Sequence, residues 1–144
     1  MGEELLEIRE YSGEGFQPLV YFGTWWVAVL NFIEALHLAK IDTLERHPET
    51  VEIFVLTHGL AILFPGEGET QVTNLYPQVI NESKIDNVKP HTLHTSMLSG
   101  DASVLIVENG DISEDKSEYV SLKPEQRRFI LGIAQSEQPG KWGI

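Results

Sequence analysis

The stretch Val51-Glu-Ile-Phe-Val-Leu-Thr-His-Gly-Leu-Ala-Ile-Leu-Phe64 decides the fold. Val51–Thr57 is rich in β-branched and aromatic residues. A turn signal follows at His58-Gly59, and Leu60–Phe64 is apolar without a break. The same arrangement recurs downstream, where Thr92–Leu98 leads to Ser99-Gly100-Asp101 and Ala102–Val107 returns. Each stretch predicts a β-hairpin, and the nearly continuous apolar return strands predict cover on both faces.

Working outward, turn signals punctuate the rest of the chain: Ser12-Gly13-Glu14-Gly15, Pro65-Gly66-Glu67-Gly68 and Asn109-Gly110-Asp111. Short Val/Ile/Leu/Phe/Thr runs between closely spaced turns predict an antiparallel sandwich or barrel. Glu3–Tyr11 and Leu19–Phe32 are further strand candidates. Trp25–Arg46 suits helix or strand and is read as two strands broken near Glu34. Asn74–Ile80, interrupted by Pro77, suits a sheet edge. Near the end, Ser121 is the expected cap of a helix with Pro124 and Glu125 in its first turn and Phe129, Ile130 and Ile133 against the barrel. Trp142 is a candidate anchor for the final residues.

The chain has 144 residues, enough for one domain that buries roughly two-thirds of its unfolded surface. We read residues 1–144 as that single domain. The net charge is −12, from 22 acids against 10 bases. A surface so acidic opposes binding to phosphate backbones and to anionic membranes. The absence of cysteine excludes disulfides, thiolate nucleophiles and zinc–thiolate sites. Met1–Glu10 lacks the basic-then-apolar order of a signal peptide, and Thr24–Ala39 is interrupted by Asn31, Glu34 and His37, so a cytoplasmic location is expected.

The candidate chemistry lies in the histidines. Glu45 and His47 are two residues apart and share a face on a strand. Glu52 follows across a bend containing Pro48. If the two predicted hairpins lie side by side, Glu45, His47, Glu52 and His94 converge. Two imidazoles with two carboxylates suit a divalent transition metal such as nickel, manganese, iron or zinc. Taken singly, each of these residues is more often an ordinary strand or surface residue. His37 reads as surface or core, His58 as a solvent-facing turn residue, and His91 as facing away from His94. Trp25 and Trp26 are consecutive and should face opposite ways, one into the core. The sequence has no nucleophile elbow, phosphate loop or dinucleotide fingerprint.

Glu45-Arg46-His47-Pro48 through Glu52 and Gly59 resembles the first motif of the cupin superfamily, a His-x-His pair followed by Glu and Gly. His47, Glu52 and Gly59 match, and Glu45 stands where the first His belongs. Lys89-Pro90-His91-Thr92-Leu93-His94 resembles the second motif, with His91 at its usual Gly position, Lys89 at its usual Pro and His94 as its metal-binding His. Within the superfamily, Leu44-Glu45-Arg46-His47-Pro48 and Thr92-Leu93-His94 are most similar to ureidoglycolate lyases.

This resemblance implies an all-β cupin jelly-roll barrel, a double-stranded β-helix, with a short C-terminal helix. It implies a homodimer with a small polar carboxylate or ureido substrate in the barrel mouth. His47, His94 and Glu52 would be catalytic, and Glu45, His47, Glu52 and His94 would hold one divalent metal, unless the pocket is metal-free. Such a lyase needs a base for a hydroxyl proton and an acid for the leaving nitrogen. Arg46 or Lys89 would meet a substrate carboxylate. The alternatives are a non-catalytic ligand-binding or regulatory cupin and a sugar isomerase- or epimerase-like one.

Overall fold

The structure, a computed structural model, describes residues 2, 4–34, 41–110, 116–137, 140 and 142. Eleven strands and one helix follow in order among them: β1 (Gly15–Phe22), β2 (Trp25–Asn31), β3 (Thr43–Arg46), β4 (Glu52–His58), β5 (Ala61–Glu67), β6 (Asn74–Leu75), β7 (Gln78–Ile80), β8 (Asp86–Val88), β9 (Leu93–Leu98), β10 (Ser103–Asn109), β11 (Glu118–Ser121) and α1 (Pro124–Ser136). Two curled antiparallel sheets form the barrel. The first runs β1-β2-β10-β4-β8. The second runs β11-β3-β9-β5-β6, with β7 also on β5.

The two predicted hairpins exist as chain reversals, but neither is a hydrogen-bonded hairpin. β4 belongs to the first sheet and β5 to the second; β9 belongs to the second and β10 to the first. Pairing runs between the units instead, β4 with β10 and β5 with β9. Each turn is therefore a corner where the chain changes sheets. The two corners lie against each other: Ser99 N donates to Leu60 O, and Leu60 N donates to Ser99 Oγ, both at 2.9 Å. Gly59 is indispensable at this crossing. Its φ is +77°, and a Cβ there would stand 2.6 Å from Ala102 Cα.

Several local expectations change. Leu19–Phe32 is not one strand: Gly23-Thr24 turns it back so that Phe22 pairs with Trp25, with Gly23 at φ +59°. A two-residue hairpin with Gly at its first position matches the strand twist. Of Glu3–Tyr11, the described residues from Glu4 onward form no strand, having no ladder partner. β5 passes through Pro65 and Gly66, so this pair is not a turn. β5 is buried from Ala61 to Phe64 as expected, but β10 alternates, with Val104 and Ile106 inside and Leu105 and Val107 on the half-exposed outer face. β6 and β7 flank Pro77 at the sheet edge as expected. His37, Asp111 and Pro139 lie outside the described residues.

Ser121 does not cap the helix; it ends β11. The N-cap is Lys123, whose N–H is held by Gln126 Oε1 at 2.8 Å, and Pro124 opens the first turn. Ile130 and Ala134 bury against the second sheet's outer face, with Ile133 partly buried beside them, whereas Phe129 faces solvent. Trp142 joins the same cluster and donates to Glu137 O at 2.6 Å. A second cluster, including Phe54, Leu63, Leu98 and Ile106, fills the barrel interior.

Gly59→Ala must place a Cβ in left-handed backbone against Ala102. It should cost at least about 2 kcal/mol, read as a lower midpoint in urea unfolding. A loss within about 0.5 kcal/mol would show that the corners separate freely.

Candidate metal centre

Two cross-strand pairs face each other inside the barrel mouth. In the second sheet Glu45 on β3 lies directly opposite His94 on β9. In the first, Glu52 on β4 lies directly opposite Glu108 on β10. His47 reaches in from the segment just after β3, where its carbonyl accepts from His91 N at 3.1 Å. His91 itself is exposed with φ +66°. The backbone there adopts the left-handed conformation that the motif's usual glycine would supply.

The four residues singled out from the sequence come together, with one ligand atom from each all within 4.8 Å of one another. His94 Nε2 lies 2.7 Å from Glu52 Oε1 and 4.0 Å from Glu45 Oε1. His47 Nε2 lies 3.5 Å from Glu52 Oε1 and 3.8 Å from Glu45 Oε1. Donors about 2.1 Å from a common ion stand roughly 3–4 Å apart, so the set fits a transition-metal cation. Its nitrogen-and-oxygen chemistry fits nickel, manganese, iron or zinc equally.

Both imidazoles are oriented from behind. His94 Nδ1 donates to Thr92 O at 3.0 Å, which leaves Nε2 to face the carboxylates. His47 Nδ1 meets Ser117 Oγ at 3.0 Å. This is the outer support that metal-bound histidines require.

Electrostatics are set by burial. Burial alone would push the Glu52 carboxyl up, but its polar neighbours His47, His94 and Glu108 more than offset it and hold it well below the usual range. For His94, burial lowers the pKa, and the hydrogen bond and charge of Glu52, with Thr92 O and Glu45, raise it overall.

The sequence reading missed Glu108, which is buried with Oε1 3.6 Å from His47 Nε2. Its signal was present: Val104, Ile106 and Glu108 alternate on one face. It also missed Lys116, Ser117 and Tyr119, which line the mouth from the segment entering β11. Arg46 does not reach the site. It bonds Glu118 Oε1 at 2.8 Å and the carbonyls of Gly68 and Glu69. Lys89 is exposed and does not line the cavity either; Lys116 does, paired with Glu49 at 3.0 Å. His58 is solvent-facing as expected, near Asp101. The cavity holds about 740 Å³ and takes Phe16, Trp26, Phe54 and Ile106 as apolar wall, while Trp25 faces outward.

No protein-family model matches the sequence, and no curated protein matches it. Solved structures do resemble the fold. KdgF from Halomonas sp. is similar at a TM-score of 0.51 and 11% identity, over 69% of this chain and 79% of that one. The DMSP lyase DddQ from Ruegeria pomeroyi DSS-3 is similar at 0.50 and 15%, over 74% and 50%. FeII HppE is similar at 0.50 and 13%, over 65% and 48%. The fold is that of the cupin β-barrels. Structures of this fold include enzymes, DddQ being a lyase by name, and one named as an iron(II) protein. The specific likeness to ureidoglycolate lyase is not shown. No described helix is long and apolar enough to cross a membrane.

The His94–Glu52 pair sets a pH dependence for the metal-free chain. His94's pKa is raised, so its contribution is full below its ordinary 6.5 and is lost as pH rises through the folded value. Glu52's is lowered, so its contribution is full above its ordinary 4.5 and is lost as pH falls. Thermal melts of the chelator-treated chain should give this pair's greatest stabilisation between those values, and His94→Gln should flatten the profile. An unchanged profile in that variant would show that the pair does not couple folding to protons.

Proposed function

We propose that the chain is a metal-assisted cupin enzyme acting on a small polar substrate in the barrel mouth, with Glu45, His47, Glu52 and His94 holding one divalent transition metal. The observation that carries this reading is the convergence of the donor set from both sheets: one ligand atom from each of Glu45, His47, Glu52 and His94 lies within 4.8 Å of the others. With its Nδ1–H on Thr92 O, a neutral His94 ring would turn its Nε2 lone pair to that same point, where one cation would serve both imidazoles and both carboxylates.

A bound metal would act as a Lewis acid on a substrate oxygen. The protein's residues supply the rest. The apolar wall of Phe16, Trp26 and Ile106 limits water. Ser117 and Thr92 fix the two rings. With His47, His94 and Glu52 engaged as ligands, proton transfer falls to Glu108, the buried carboxylate adjoining the donor set. For a carbinolamide lyase, the hydroxyl proton would leave, the carbon–nitrogen bond would break and the nitrogen would take a proton, so one group that accepts and then donates suffices. Ureidoglycolate is therefore the first substrate to test, with Lys116 as the cation for its carboxylate.

A second reading is a metal-free ligand-binding cupin. The 2.7 Å contact between His94 and Glu52 favours it, because an imidazolium and a carboxylate also satisfy each other. Elemental analysis of untagged protein separates the two. About one equivalent of nickel, manganese, iron or zinc, lost in His47→Ala and His94→Ala, is expected. No metal after loading with each of the four would sink the metal reading and leave the ion pair.

Ser117→Ala should lower metal affinity by about 10–100-fold through His47, without removing a ligand, as measured by competition with a chelating dye. Affinity within about twofold of the parent chain would show that His47 is held by other contacts. Glu108→Gln should keep the metal while abolishing turnover of whichever substrate the loaded enzyme accepts. Retained turnover would remove Glu108 from the chemistry.

A further inference from the structure

The cavity is larger than its donor set needs. Its volume of about 740 Å³ falls within the roughly 300–1,000 Å³ of pockets that enclose drug-sized ligands. A short-chain acid held at Glu45, His47, Glu52 and His94 would leave most of that space empty. The register shows where the extra space lies. Across the first sheet, Glu52 is opposite Glu108, and Glu108 is opposite Trp26. Trp26 therefore stands two strand spacings, about 10 Å, from Glu52. Leu30 lies on the same face of β2, with Phe16 of β1 opposite it. On the second sheet Thr43 shares a face with Glu45, and Tyr119 of β11 is opposite Glu45. Phe16, Trp26, Leu30, Thr43 and Tyr119 all line the cavity. It thus runs from the donor set toward the end strands β1 and β11, away from the side that Leu56, Leu63, Ile80 and Leu98 fill.

The two halves of the wall differ in kind. Carboxylates and imidazoles surround the donor set, whereas the far half of the first sheet presents Phe16, Trp26 and Leu30. Phe16 faces the cavity and is still 45% exposed, while its partner Trp26 is buried. Their rings meet edge to face, with centroids 5.6 Å apart and planes at 84°. Two rings at right angles form a corner that a third flat ring can meet face-on at one side and edge-on at the other, both arrangements that aromatic groups favour. Asp42 and Glu49 also line the cavity, so negative charge on a ligand is disfavoured away from the donor set.

We infer that the mouth is bipartite: the donor set takes the oxygen-bearing head of the substrate, and a subsite of Phe16, Trp26 and Leu30 takes an uncharged, ring-sized apolar body attached to that head. The inference rests on the metal-assisted reading for the head alone. The body is held by burial of apolar surface and by ring geometry, and neither needs a metal.

A matched pair of probes reads the subsite. Acetohydroxamate and benzohydroxamate chelate a divalent metal through the same two oxygens and differ only in a methyl or a phenyl body. Calorimetric titration of the nickel-loaded protein should show benzohydroxamate bound at least about tenfold more tightly, as expected for a ring moved out of water. Phe16→Ala should lower that ratio at least about threefold, whereas Phe22→Ala, on the same strand and outside the cavity, should leave it unchanged. Equal affinities for the two hydroxamates overturn the subsite while leaving the metal centre intact. An undiminished ratio in Phe16→Ala overturns it by placing the ring elsewhere. Should neither hydroxamate bind, the metal reading fails, and the subsite is decided on the metal-free chain by saturation-transfer NMR with benzyl alcohol. Transfer to the ring protons that is lost in Phe16→Ala supports the subsite, and no transfer with the parent chain overturns it.

Discussion

The contact between Glu52 and His94 is the point where the two sheets answer to each other. One residue stands on the first sheet and the other on the second, 42 positions later in sequence, and they meet at 2.7 Å with both side chains almost fully buried. Two such groups are costly to remove from water unless they compensate each other or a cation compensates both. The barrel must therefore close with its register intact. If β9 slipped by one residue against β3 and β5, His94 would turn to the helix-covered outer face and Glu52 would remain buried without it. The sheet-crossing corners guard against that slip. Gly59 lets the β4–β5 corner press onto Ala102, and the Ser99–Leu60 bonds hold the β9–β10 corner beside it. Corner geometry at one end of these strands thus fixes side-chain geometry at the other.

The same device explains what could and could not be read from the residues. The period-two pattern located β4, β5, β9 and β10, and the turn residues located their ends. Local pattern does not say whether a tight turn returns within a sheet or passes to its neighbour: the Gly23 hairpin and the Gly59 corner both use a left-handed glycine, and the Gly100 corner uses none. The convergence of Glu45, His47, Glu52 and His94 followed from placing the two units side by side, and that placement survives although the pairing within each unit does not. Glu108 escaped because an acid at the end of an apolar strand looks like its solvated terminus; only the knowledge that Val104 and Ile106 face inward turns it toward the site. Ser117 and Lys116 had no local signal, since their approach depends on β11 pairing with β3 more than 70 positions away from its partner. Arg46 carried a misleading one: adjacent to His47 in sequence, it points to the opposite face and ties down Gly68 and Glu69.

Two unlike outer faces follow from one unequal allocation. The described residues supply a single helix, and α1 lies on the sheet whose exterior includes Ile62, Phe64 and Met97. Nothing described remains to cover Val27, Leu105 or Val55.

Charge also constrains the chemistry in the mouth. Glu45, Glu49, Glu52 and Glu108 line the cavity against Lys116, which Glu49 already engages. An anionic substrate entering this cavity without a metal would face a field of its own sign. With a divalent cation at the donor set the inner charge is reduced by two, and Lys116 lies toward the rim, where a carboxylate could meet it. A neutral polyhydroxylated substrate would need neither adjustment, because carboxylates accept hydroxyl hydrogen bonds directly. The electrostatics therefore tie substrate charge to metal occupancy: the more firmly the site holds a cation, the better an acid substrate is accommodated, and a metal-free pocket favours neutral or cationic ligands. Which residues form the site is thus a matter of fold and register, whereas what the site accepts turns on the charge bound within it.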